Sequence, residues 1–104
     1  MRSPPFLRVI NALENIRVSI ELLEQSNQAK GAQAKQLLRR AVAETNDSIG
    51  VLAGGGLQPQ AVAFLRKAKH LTRQAVRYSY NRRHLARKAI SQQEKARAEL
   101  VDSS

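Results

Sequence analysis

The chain has 104 residues, 42% of them apolar and 4% aromatic, with 18 Lys and Arg against 8 Asp and Glu and a formal net charge of +10. That length holds one domain, and the absence of Cys excludes a disulfide framework, thiol catalysis and every Cys-ligated metal site. No apolar run approaches the roughly twenty residues that cross a bilayer, and acids and amides interrupt the apolar positions of residues 1–25, so no secretory leader is read and cytoplasmic residence is expected.

The first predicted element is a helix over about residues 4–25. Ser3 supplies a capping hydroxyl and Pro4-Pro5 supplies rings already fixed at helical φ. Phe6, Val9, Leu13, Ile16, Ile20 and Leu23 then recur at spacings of 3, 4, 3, 4 and 3, one stripe of a helix. Leu7, Val18 and Leu22 fall off that stripe and predict contact with a second neighbour. Ser26-Asn27-Gln28 reads as a polar turn.

A second helix is predicted over about 28–53 from Leu38, Val42, Thr45, Ile49 and Leu52 at spacings of 4, 3, 4 and 3, with Gly31 in its first turn. Gly54-Gly55-Gly56 ends it in the manner of a left-handed C-cap, and Pro59 opens the next helix. The glycine triplet is not a phosphate loop, because no strand precedes it and no Lys-Ser or Lys-Thr follows.

From residue 60 onward there is no Gly or Pro. Phe64, Ala68, Leu71, Ala75 and Tyr78 form a stripe that continues in register through Arg82, Leu85, Ala89 and Gln92. A single helix of that length would outrun both earlier ones, so a break is placed near Ser79-Tyr80-Asn81, with Asn81 capping a fourth helix. The expected fold is all-α, a small antiparallel four-helix bundle with helices over about 4–25, 28–53, 59–79 and 81–100. A three-helix bundle with one long C-terminal helix is the alternative. The second stripe of the first helix, together with Leu65 and Val76, predicts a homodimer.

The charge is segregated. Residues 1–26 are balanced, residues 27–56 carry +2, and residues 57–104 carry eleven bases against three acids. No acid occurs between Asp47 and Glu94. With Leu71 at the centre of the buried side, Arg66, Lys69, Arg73, Arg77, Tyr80, His84 and Arg87 fall on the opposite side, with His70 and Lys88 just outside. If the last two helices are collinear, these residues form one cationic ridge. Such a ridge repels itself and suits a polyanion, with arginines for bidentate phosphate contact and Tyr80 for stacking on a base.

The expectation is therefore a non-catalytic nucleic-acid-binding protein whose contacts are Arg66, Lys69, Arg73, Arg77, Tyr80, Arg83, His84, Arg87 and Lys88. An adaptor docking an acidic protein is the alternative, while an anionic membrane surface and a merely solvated charged face are weaker ones. Glutamates 14, 21, 24, 94 and 99 could neutralise part of the ridge.

The segment Arg77-Tyr78-Ser79-Tyr80-Asn81-Arg82-Arg83-His84 has the form Arg, six residues, His, and resembles the motif of HEPN-type helical ribonucleases. That resemblance, over eight residues, implies a dimeric nuclease with His84 as general base or acid and Arg77 stabilising phosphorane charge. The residue after the Arg, commonly polar in that family, is Tyr78 here. No metal or cofactor site is read: His70 and His84 are fourteen residues apart and have no acid near them in sequence.

Overall fold

The computed structural model describes residues 5–102, which form four helices. They are α1 (Pro5–Gln28), α2 (Gly31–Gly54), α3 (Pro59–Arg77) and α4 (Arg82–Asp102), with a 3-10 turn at Ser79–Asn81 between the last two. The helices pack in a ring, α1 on α2, α2 on α3, α3 on α4 and α4 on α1, as a four-helix bundle 42 × 23 × 17 Å. The short connections make sequence neighbours antiparallel. The alternative of a long C-terminal helix is not what forms, because the chain reverses at Tyr78. Ser3 and Pro4, read as the first cap, lie outside the described residues.

The element ends differ from the sequence expectation for local reasons. The first helix runs three residues past Gln25, because Ser26 is buried and its hydroxyl donates to the Leu23 carbonyl at 2.6 Å. A polar residue satisfied by its own helix does not need solvent, so the turn moves on to Ala29-Lys30. Gly31, at φ +58°, opens α2.

At the other end of α2, the Leu57 N–H donates to Leu52 O at 2.9 Å and the Gly56 N–H donates to Ala53 O at 3.0 Å. With Gly56 at φ +67° this is a Schellman motif, and Leu57 packs on the cluster that contains Leu52. Arg8 of α1 adds a bond from Nη1 to Val51 O at 3.1 Å, satisfying a carbonyl near the same helix end. Pro59 takes the first helical turn of α3 as expected.

The core falls into two apolar clusters. One, at the end holding the α2–α3 turn, contains Ile16, Leu52, Leu65 and Leu100; the other, toward the opposite end, contains Leu23, Leu38, Ala75 and Leu85. Between them each helix contributes a fully buried polar residue: Ser19, Thr45, Thr72 and Gln93. Gln93 Nε2 donates to Thr45 Oγ1 at 2.8 Å, and the Thr45 hydroxyl donates in turn to Ala41 O at 2.7 Å. Gln93 Oε1 is buried without a hydrogen-bond partner. On α4 it is Gln93 that enters the core, whereas Gln92, assigned to the stripe by sequence, is only half-buried.

Two further expectations are corrected by packing. Phe6 heads the α1 stripe yet is 63% exposed and belongs to neither core cluster. Leu22 and Leu65, offered for dimerisation, are buried within the chain, and Val76 packs on the second cluster. The second neighbour predicted for α1 is α4. No helix among the described residues is long and apolar enough to cross a membrane.

Candidate nucleic-acid interface

Ser79, Tyr80 and Asn81 have weak helix propensity, and the chain leaves helical geometry one residue earlier, at Tyr78, with φ −112° and ψ 92°. The Tyr78 N–H still closes on Gln74 O at 2.8 Å. Arg82 then reaches back, its Nε donating to Ala75 O at 2.8 Å and its Nη2 to Val76 O at 3.3 Å. A cation thus satisfies the carbonyls at the negative end of α3. Because α4 returns along α3, the predicted cations do not form one collinear ridge. They divide between the side of α3 and the end of the bundle.

On α3 the buried residues are Ala61, Val62, Leu65, Ala68, Thr72 and Ala75. The inward direction is therefore centred near Ala68 and Thr72 rather than on Leu71, which is half-buried. This rotation changes the outer face. Arg66, Lys69, Arg73 and Arg77, all predicted, line an open groove with His70 and Gln74. Tyr78, which sequence placed on the core stripe, closes the end of that groove and is 40% exposed. Lys69 lies on the flank and is half-buried.

The second concavity is built where two turns meet at the bundle end. From α4 and its preceding turn come Tyr80, Arg83, His84 and Arg87, and from the α1–α2 turn come Ala29, Lys30 and Gly31. The predicted Arg83, His84 and Arg87 are thereby joined by Lys30, which lies fifty-three residues before Arg83 and has no local signal linking it to them. Lys88 is exposed on α4 but lines neither groove. Tyr78 and Tyr80 connect the two concavities: their rings meet edge to face with centroids 6.1 Å apart, and Tyr80 is 87% exposed.

No Asp or Glu lines either groove among the described residues. Two of the glutamates that could have covered the cations are engaged elsewhere: Arg17 bonds Glu14 at 2.6 Å and Glu21 at 3.1 Å, all three on α1. The hydrogen bonds from Arg17 hold the Glu14 carboxyl below the ordinary carboxylate range. At the far end of α4, Lys95 sits over the Phe64 ring at 6.0 Å. The α3 cations thus face solvent at the spacing of successive helical turns, able to offer arginine forks to phosphate oxygens.

The Arg77 and His84 of the HEPN-like motif sit on different elements. Arg77 is the last residue of α3, His84 is in the first turn of α4, and they line separate concavities. In that family both residues lie near the start of one late helix, an arrangement that the 3-10 turn prevents here. Comparison of this chain with protein-family models, with curated proteins and with solved structures finds no match.

Proposed function

We propose that this protein binds nucleic acid without catalysis, holding phosphates against the outer face of α3. The observation that carries the reading is the groove lined by Arg66, Lys69, Arg73 and Arg77 with no acid in its lining. Concentrated positive charge of this kind lowers its own repulsion by taking up a polyanion, and contacts to phosphate rather than to base edges carry little sequence preference. Cytoplasmic residence suits such a ligand. The homodimer reading now rests on Phe6, Leu7 and Ile10, the exposed apolar residues at the start of α1.

Fluorescence anisotropy of labelled oligonucleotides across a salt series tests the proposal. Engagement of about four phosphates gives a log–log slope of about −3, and Arg73→Glu with Arg77→Glu flattens it by about half. Absence of binding at low salt overturns the reading and leaves the acidic-protein adaptor as its successor. Consumption of the RNA, lost in His84→Ala, overturns the non-catalytic part in favour of the nuclease.

A further inference from the structure

We infer that the nucleic acid is single-stranded, and that it runs along the α3 groove, turns over the Tyr78–Tyr80 pair and ends its contacts in the concavity that Lys30 shares with Arg83 and Arg87. The inference rests on the proposed phosphate-binding role of α3 and adds the class of strand and a second contact site.

Three features of the surface point the same way. First, the two cationic concavities lie on different faces, one along the side of α3 and one at the bundle end, as the reversal at Tyr78 requires. A duplex, stiff over a persistence length of about 50 nm, can lie on one of them but cannot turn the corner within a domain 23 Å across. A single strand bends freely between successive phosphates.

Second, the corner itself is aromatic. Tyr78 belongs to the first groove and Tyr80 to the second, with 6.1 Å between ring centroids. Tyr80 is 87% exposed, so an apolar face is held in water at the place where a strand would change direction. Unpaired bases stack on such rings, whereas bases within a duplex are already stacked on each other.

Third, Lys30 comes from the α1–α2 turn, distant in sequence from the α4 cations, and it is exposed in the same concavity as Arg83 and Arg87. Its charge prolongs the cationic track past the corner instead of along α3. His84 lies in the same lining and offers a ring N–H donor.

The test uses the full chain with labelled probes of about twelve nucleotides: oligo(U), oligo(dT) and an oligo(dA)·oligo(dT) duplex. The expected result is binding of a single strand at least about tenfold tighter than of the duplex, with Lys30→Glu and Tyr80→Ala each weakening it by about tenfold and Tyr80→Phe restoring it. Duplex affinity should then change no more than it does in Arg97→Glu, the same charge reversal at an exposed site that lines neither groove. Comparison of oligo(U) with oligo(dT) separates RNA from DNA as the preferred strand. Equal affinity for single strand and duplex, or single-strand binding indifferent to Lys30→Glu, overturns the inference. In that case, duplex binding that still depends on Arg73 and Arg77 leaves the proposed function standing. Failure of every probe to bind at low salt removes both. Circular dichroism of the variants checks folding, which neither exposed position should disturb.

Discussion

Arg82 Nε lies 2.8 Å from the carbonyl oxygen of Ala75, so the first residue of α4 closes the last turn of α3. This contact stabilises the reversal that separates the two cationic concavities. Arg82→Ala leaves the Ala75 and Val76 carbonyls to solvent and should cost about 1–2 kcal/mol, read as a lower urea midpoint with an unchanged slope. Arg82→Lys should recover only part of the loss, since one ammonium does not reproduce the fork made by Nε and Nη2.

The pair Thr45 and Gln93 lets the cost of an unpaired buried group be measured directly. In Thr45→Val, Gln93 Nε2 loses the acceptor it holds at 2.8 Å, and stability should fall by about 1–3 kcal/mol. Gln93→Leu removes an amide whose Oε1 has no partner and should be neutral or stabilising by about 1 kcal/mol. The double variant should therefore be markedly more stable than Thr45→Val alone, a coupling that chemical denaturation of all four proteins would reveal.

Three backbone positions should respond with different signs. Gly50 is exposed inside α2 with open space where a Cβ would stand, so Gly50→Ala should add about 0.5–1 kcal/mol. Gly56 holds φ +67° in the Schellman motif, and Gly56→Ala should cost about 1–2 kcal/mol. Gln58 is a non-glycine at φ +52°, and Gln58→Gly should stabilise by up to about 1 kcal/mol. Thermal melts of the three variants order them as Gly50→Ala and Gln58→Gly above the parent, and Gly56→Ala below it.

Burial separates apolar residues that look alike in sequence. Leu65 has no exposed surface, and Leu65→Ala should cost about 2–5 kcal/mol. Phe6 is 63% exposed, and Phe6→Ser should change stability by less than about 0.5 kcal/mol. Denaturant titration of both variants checks the contrast, and a loss in Phe6→Ser comparable to that in Leu65→Ala would contradict the described packing of α1.

The Glu14–Arg17 pair predicts a small acid response. The Glu14 carboxyl titrates below its ordinary range because Arg17 donates two hydrogen bonds to it. A depressed folded-state pKa contributes stability above the unfolded-state value, and that contribution disappears as pH falls through the folded one. The group is exposed, so solvent screens most of the effect. An NMR titration should place Glu14 below the ordinary carboxylate range, and Arg17→Ala should return it to that range.

The sequence by itself determined the helical segments and most of their breaks, and it favoured four helices while leaving a continuous C-terminal helix as the alternative. Apolar spacing of three and four residues marks α1 to α3, Gly54-Gly55-Gly56 ends α2, and Ser79-Tyr80-Asn81 interrupts what would otherwise be one long helix. It also determined that the excess charge belongs to residues 57–104, since that follows from counting alone. These properties are local, being set by propensity, capping and composition within a few residues.

The tertiary structure decided which way the helices face and what meets at their ends. Two stripes on α3, Phe64-Ala68-Leu71-Ala75-Tyr78 and Ala61-Leu65-Ala68-Thr72-Ala75, share Ala68 and Ala75, so periodicity does not choose between them. Packing against α2 and α4 selects the second, which turns His70 and Tyr78 outward. Gln93 becomes a core residue only because Thr45 Oγ1 of α2 accepts a hydrogen bond from its Nε2 across the bundle. Lys30 joins Arg83 and Arg87 only because antiparallel packing brings the α1–α2 turn to the end where α4 begins. Such juxtapositions are products of helix packing, a sum over contacts distant in sequence, and a periodicity read along one helix at a time contains no term for them.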